Sequence, residues 1–476
     1  MNILIKNGVI VSAIDEYKAD ILIEDEKIVA IGTGLDNRAD NIIDATGKYI
    51  LPGGVDEHVH YGSFGSMTFE TSDAAIVGGT TTIVDFAPQQ KGLSIKESVK
   101  LHNETLAKGV SVADYSFHCV VTDPSDKIFE EIPTLAKEGI STLKFFMAYK
   151  GTPLMVDDST IFKALQVAKD SGVTIMVHAE NGDIVDTLQK QLISEGKTDP
   201  KYHADSRPPL VEVEATKRAI YLSRMADAPI FIVHVSCKEA MEAIRDANIQ
   251  GTPVYGETCT HYLTLTEECL AKPNFEGAKY VCSPPLRKQE HLDSLWEAVN
   301  KGWLLAVGSD HCAVKGGFEK GKRKGMGDFS TIPNGCPGVQ DRLALMWTYG
   351  VEKGRISRQR FVDLFATTPA KVVGLFPQKG QIAIGSDADI VIFDPDFKGI
   401  ISVKDSLYGS DYNPFEGLEQ IGRAEKVFLR GKLTAENGKF LGNIGQGKYI
   451  KAKPFGLCYE NFKDSNTKIQ PKVIAE

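Results

Sequence analysis

Short apolar runs that alternate with polar positions open the chain. ILIKNGVIV, DILIEDEKIVAIG and NIIDATGKYILP are broken by Asn-Gly, Asp-Glu and Thr-Gly turns. Alternation of period two between such turns predicts antiparallel strands. The same texture returns near the other end in DADIVIFDP, KVFLRGKLTAENGKFLG and GKYIKAKPF. Two β-rich ends around a different centre predict a small β-sandwich assembled from both termini, over residues 1–53 and 375–450.

The centre, residues 54–374, alternates β-rich runs with longer helical patterns, the signature of βα units and a parallel sheet. Eight runs qualify: GVDEHVH (54–60), TTTIVDF (80–86), DYSFHCVV (114–121), STLKFFMA (141–148), VTIMVHA (173–179), PIFIVHVS (229–236), TPVYGETC (252–259) and WLLAVGSD (303–310). Eight such units close a (β/α)8 TIM barrel, an α/β architecture whose active sites lie at the C-terminal strand ends. A doubly wound open sheet would need a glycine fingerprint after a strand, and no GxGxxG occurs. GGFEKGK (316–322) fits GxxxxGK, but Arg323 follows where a P-loop needs Ser or Thr to reach Mg²⁺. It reads as a mobile, solvated Lys-rich loop. Residues 451–476 read as a C-terminal tail, polar and loosely ordered from about 459.

Composition narrows the function classes. A chain that is 42% hydrophobic and 25% charged, with a formal net charge of −9, is an ordinary globular protein with no electrostatic reason to bind nucleic acid. No run approaches the length of a membrane span, and MNILIKNGVIVSA lacks the basic and long apolar regions of a signal peptide. The eight cysteines are scattered singly without a CxxC, which suits a reducing cytoplasm and argues against disulfides and thiolate zinc sites.

The chemistry gathers at the strand ends. His58 and His60 are two residues apart on the first central run, so alternation points both imidazoles to one face, where they can share a metal ion. His178 closes the fifth run, His234 lies near the end of the sixth, and Asp310 closes the eighth. In a barrel these ends meet around one mouth. His118, His261 and His311 suit supporting or packing roles, and His102, His203 and His291 fall in helical or loop segments and are expected on the surface. Five such ligands can hold two metals only if an anion bridges them, since adjacent dications about 3.5–4 Å apart repel strongly. Lys144, inside the apolar run TLKFFMAY, is the unusual candidate. A buried ammonium is disfavoured, so Lys144 reads as a snorkelling side chain or a depressed-pKa amine; a neutral amine can react with CO2 to give an anionic carbamate on a long arm, which composition alone does not select. Lys150, the rival, falls past the strand end and is expected to be solvated.

HVH after PGGVD, LKFFMAY, VHAEN, HVSC, CSPPLR, GSDHC, IPNG and the late GSDADIVIFDP and DYNPFEG resemble the dihydropyrimidinase and D-hydantoinase family of cyclic amidohydrolases, over nearly the whole chain. The resemblance implies a (β/α)8 barrel with a sandwich built from both termini. It also implies two Zn²⁺ per subunit, one held by His58, His60 and Asp310, the other by His178 and His234. N6-carboxylated Lys144 would bridge them together with a hydroxide. His and carboxylate ligands also accept Mn²⁺ or Co²⁺. Tyr149 matches the family tyrosine that helps hold the developing oxyanion, and Ser283 and Asn334 match positions whose backbone groups grip the ring amide. Asp310 would carry the proton from the nucleophile to the leaving nitrogen. The implied substrates are dihydropyrimidines or 5-monosubstituted hydantoins, opened to N-carbamoyl amino acids.

The segment YGSFGSMTFETSDAAIV after His60 is shorter than the family's loop there, which contacts the ring's exocyclic substituent. This leaves the metal ligands alone and bears on side-chain preference. Dihydroorotase and allantoinase are the neighbouring activities, but dihydroorotase relatives place an arginine just after the HxH pair, where Tyr61 and Gly62 stand here. Non-catalytic scaffold relatives lack the metal ligands, and all six positions are filled in this sequence. The family further implies a homotetramer, or at least a homodimer, with the segment around 440–476 reaching a neighbour.

Overall fold

The computed structural model describes residues 2–460. The polar tail expected from about 459 therefore lies, from 461 onward, outside the described residues.

The first alternating run forms two strands rather than one. Asn2–Lys6 and Val9–Val11 are separated at Asn7, which takes a left-handed φ of 66°, and at Gly8, where a Cβ would sit 2.6 Å from the Ile50 side chain. The break sends them into different sheets. A four-stranded sheet has the order Lys27–Gly32, Asp20–Glu24, Asn2–Lys6, Asn41–Asp44. A seven-stranded sheet joins both ends of the chain, with Ile390–Ile400 antiparallel to Tyr49–Pro52 and Ile392 opposite Ile50. Ile5, Ile10, Ile21, Ile23, Ile50 and Ile390 are buried together in this sandwich, each worth roughly 1.5–3 kcal/mol relative to exposure.

Eight parallel strands follow: β1 Gly54–Val59, β2 Thr80–Pro88, β3 Asp114–Val120, β4 Thr142–Phe146, β5 Thr174–His178, β6 Ile230–Ile232, β7 Val254–Cys259 and β8 Ala306–Gly308. They pair in sequential order. The barrel closes where the His60 N–H donates to the His311 carbonyl at 2.7 Å and the Ser309 N–H donates to Asp56 at 3.1 Å. β6 and β8 are shorter than their apolar runs. His234 and Asp310 take left-handed φ values of 42° and 46°, which a strand cannot continue through.

Two segments differ from the sequence expectation. GKYIKAKPF is not a sandwich strand but a strap beneath the barrel. The Tyr115 N–H donates to Lys448 O (3.0 Å), Ile450 N–H to Tyr115 O (2.8 Å), Ala452 N–H to Gly139 O (3.1 Å) and Phe455 N–H to Gly172 O (2.9 Å). Its alternation arises because Ile450 and Ala452 face the barrel floor while Lys451 and Lys453 face solvent. The Lys-rich stretch is not a solvated loop throughout. Gly317–Gly321 and Lys322–Gly325 are successive helical turns in which Phe318 and Lys322 are buried, held by donation from Phe318 and Glu319 N–H to Asp411.

A buried charge cluster fastens sandwich to barrel. Lys379 Nζ lies 2.5 Å from Asp114 at the start of β3, 2.9 Å from Asp387 and 2.8 Å from Asp389, and Arg430 also pairs with Asp114. No helix among the described residues is long and apolar enough to cross a membrane.

Candidate active site

The C-terminal ends of the barrel strands surround a cavity of about 270 Å³. His58, His60, Lys144, His178, His234 and Asp310 all line it, together with Tyr149, Ser283 and Asn334. Strand alternation brings the first two imidazoles to one place: His58 Nε2 and His60 Nε2 lie 3.2 and 3.1 Å from the same Asp310 carboxylate oxygen. The left-handed turn at Asp310 swings that carboxylate back toward β1. Burial would raise its pKa, yet the His58 charge and the hydrogen bond from His60 hold it well below the usual carboxylate range.

A second pair of nitrogens faces the same space. His178 Nδ1 lies 2.9 Å from His234 Nε2. The opposite nitrogens are anchored from behind: His58 Nδ1 bonds Glu257, and His178 Nε2 lies 2.7 Å from Glu180, which accepts 2.6 Å from Arg207. Carboxylates behind imidazoles fix ring orientation and tautomer, the arrangement that histidine metal ligands require. Glu257 also accepts from the His234 N–H at 3.4 Å, so one acid braces both histidine pairs.

Lys144 sits in the middle of β4, almost completely buried, its ammonium 5.3 and 5.1 Å from the ring centres of Phe86 and Phe146. Burial lowers its pKa from 10.5 to about 7. Lys150, by contrast, is half exposed and pairs with Asp183 at 2.6 Å. Tyr149 follows β4 with a left-handed φ of 69°, which turns its ring against His178 (5.5 Å between centroids), and burial pushes its phenol up to about 12. Asn334 Oδ1 is buried on the cavity wall without a hydrogen-bond partner among the described residues, a polar atom that a bound ligand would satisfy, and Ser283 Oγ stands beside the Tyr149 hydroxyl.

Residues 49–434 match the model of the amidohydrolase family. The chain belongs to that family. Within it, the chain groups with D-hydantoinases and dihydropyrimidinases. It is 46% identical to the D-hydantoinase of Geobacillus stearothermophilus over 464 residues, covering 96% of this chain and 98% of the relative. It is also 46% identical to the D-hydantoinase of Ralstonia pickettii, over 96% of this chain and 100% of that one. The crystal structure of dihydropyrimidinase from Brevibacillus agri NCHU1002 superposes with a TM-score of 0.93 at 48% identity, covering 96% of this chain and all of that chain.

Several residues of this amidohydrolase site escape a sequence reading. Glu180 stands two residues after His178 and Glu257 interrupts an apolar strand, both visible signals, but nothing marks Arg207, which reaches the site from the loop before helix Pro209–Ala226. Phe64, Phe146 and Leu154 give the cavity an apolar wall. Three histidines expected on the surface are buried. His102 is on the inner face of helix Ile95–His102 with Ile95, Ser98 and Val99, and bonds Asp85 at 2.7 Å, which in turn accepts from the Tyr61 N–H. His203 donates to the Cys282 carbonyl at 2.8 Å, and His291 accepts from the Lys238 N–H at 3.1 Å. In each case a helix or turn has one apolar-facing side that histidine can join once its ring nitrogen finds a partner.

Proposed function

We propose that this amidohydrolase opens the cyclic amide of 5-monosubstituted hydantoins or dihydropyrimidines to N-carbamoyl amino acids, using two divalent cations. The carrying observation is the convergence of six ligand-type side chains and three polar groups on one cavity. His58, His60 and Asp310, whose ligand atoms lie within 4.8 Å of one another, would hold one zinc, and His178 with His234 the other. Carboxylated Lys144 would join both. Mn²⁺ or Co²⁺ suits the same donors. When bound, the pair supplies Lewis acidity and lowers the pKa of water into the neutral range.

The remaining steps belong to the chain. Asp310, kept ionised, accepts the proton of the attacking water and returns it to the ring nitrogen as the C–N bond breaks. Tyr149, whose raised pKa keeps its hydroxyl protonated at neutral pH, donates to the oxygen that becomes negative. Backbone groups at Ser283 and Asn334 orient the ring amide. Phe64, held at φ 52° in the short loop after His60, forms an apolar wall with Phe146 and Leu154 that suits an uncharged exocyclic substituent.

Dihydroorotate is disfavoured, because no arginine is among the described cavity-lining residues to meet a carboxylate, and Arg207, behind His178, is paired with Glu180. A panel of cyclic imides assayed with purified, metal-loaded protein tests this. Turnover of 5-substituted hydantoins or 5,6-dihydrouracil is expected, and dihydroorotate as best substrate would overturn it. The eight free thiols suit a reducing cytoplasm. Assembly as a homotetramer or homodimer is expected, with the segment around 440–476, of which 461–476 lie outside the described residues, reaching a neighbour, and light scattering that reads a monomer counts against it.

A further inference from the structure

Three of the eight cysteines meet behind the wall of the cavity, on the three segments that present Ser283, Asn334 and Asp310. Cys282 immediately precedes Ser283, Cys336 follows Asn334 by two residues, and Cys312 follows Asp310 by two. The segments are tied together: Gly335 N–H donates to Val281 O at 3.1 Å, and Cys312 N–H to Cys336 O at 2.9 Å. The two thiols are buried neighbours, the Cys282 S–H donating to Pro284 O and the Cys336 S–H to Lys279 O, both at 3.4 Å. Beside them lies Lys322, fully buried, its ammonium donating 2.6 Å to the Val281 carbonyl, with the thiols of Cys336, Cys282 and Cys312 as its ionisable neighbours. The Tyr412 hydroxyl, in the same cluster, has no hydrogen-bond partner among the described residues. A buried cation facing thiols instead of a carboxylate favours a thiolate, and the neighbouring Cys282 thiol, opposed by burial and aided by Lys322, holds Cys336 below the usual thiol range.

We propose that Cys282 and Cys336 are a modification site for a peroxide-class oxidant, forming a disulfide that displaces Ser283 and Asn334 and closes the substrate site. The Cys336 sulfur attacks one peroxide oxygen; the S–O bond forms, the O–O bond breaks, and the departing hydroxide is protonated to water. The Cys282 thiol then loses its proton, its sulfur attacks Cys336, and the S–O bond breaks to release a second water. Two thiols lose two electrons and the peroxide gains them. Cys312 and Gly335, which flank Cys336 in space and in sequence, line the cavity from which a peroxide, little larger than water, would enter.

The consequence follows from packing. Bonded sulfurs sit about 2.05 Å apart, well inside the separation of two sulfurs that merely touch, so the pair must close by more than an ångström. The Asn334 side has little slack: a Cβ at Gly335, which has φ 120°, would fall 2.6 Å from Cys312 Sγ. Displacement of about 1 Å in groups that orient a substrate costs about 10²-fold.

The test treats the metal-loaded protein with hydrogen peroxide and follows intact mass, peptide mapping, metal content and turnover together. Expected are a mass loss of two hydrogens, a Cys282–Cys336 linked peptide, a fall of about 10²-fold in kcat/KM in step with the link at unchanged metal content, and recovery with a phosphine reductant. Cys282→Ala and Cys336→Ala should keep basal activity and resist the oxidant. A link to Cys312, no link at all, a complete link with undiminished turnover, or equal inactivation of both variants would overturn the proposal. The mapped link does not depend on the hydantoin reading, so failure of that reading is seen separately, as absent turnover before oxidation.

Discussion

Lys144→Ala separates a carbamate bridge from an ordinary buried lysine. Burial brings this amine down to about 7, so at pH 7 about half of it is neutral, against roughly one in 3,000 for an unperturbed lysine at 10.5. That is a gain of roughly 10³ in the form that attacks CO2. Carboxylation converts a cation among the four imidazoles of the cavity into an anion. Alanine removes that anion, so at least one metal per chain should be lost and turnover should fall to background. The barrel should persist, because Leu143 and Phe145, the neighbours of Lys144 on β4, supply the buried apolar contacts there. Acetate or propionate, filling the vacated space, should restore part of both metal and activity. Metal content per chain and hydantoin turnover, with and without added carboxylate, form the assay. The pH dependence adds an independent check in wild type. At constant dissolved CO2, the rate at which metal-free protein becomes competent should rise with pH to about 7 and then flatten, since the neutral fraction saturates above the pKa. An ordinary lysine would keep climbing about tenfold per pH unit up to 10.4. Two metals and undiminished activity in Lys144→Ala would refute the reasoning.

Tyr149→Phe keeps the ring packed against Phe146 and His178 and removes one donor, so kcat should fall about 10²–10³-fold with both metals retained; near-wild-type kcat would dismiss the assignment. Burial raises the Glu180 carboxyl, but Arg207 and His178 outweigh it and hold it at about 2, so its stabilisation is present above the unfolded value of 4.5 and is lost as pH falls toward 2. Arg207→Met should therefore cost about 3–5 kcal/mol at pH 7, with a smaller deficit below pH 4.5, and an equal deficit in urea unfolding at both ends would contradict this. Lys379→Met removes the one cation shared by Asp114, Asp387 and Asp389, leaving Arg430 on Asp114 and Lys27 on Asp387, and should cost about 3–5 kcal/mol; an unchanged urea midpoint would count against the junction.

Local pattern carried a large part of this protein. Period-two alternation placed His58 and His60 on one face, and apolar runs separated by helical patterns gave eight parallel strands whose ends had to meet. Those are properties of a few consecutive residues and of a closed barrel, so a sequence can show them. The boundaries were less legible. PIFIVHVS and WLLAVGSD look like strands through His234 and Asp310, and only the closed barrel imposes the left-handed backbone that stops them early and turns their side chains into the cavity.

What lies behind the site depended on distance in space. Glu257 meets His58 across 199 positions of sequence, and Arg207 reaches Glu180 from a loop with no pattern of its own. His102, His203 and His291 read as surface residues because a polar side chain in a helix defaults to solvent; each was drawn inside by a partner contributed from elsewhere in the chain. GKYIKAKPF shows the same limit from the other direction. Its alternation announced one buried face, but strand pairing and packing on a barrel floor bury alternate residues equally well, and only the tertiary arrangement chose between them.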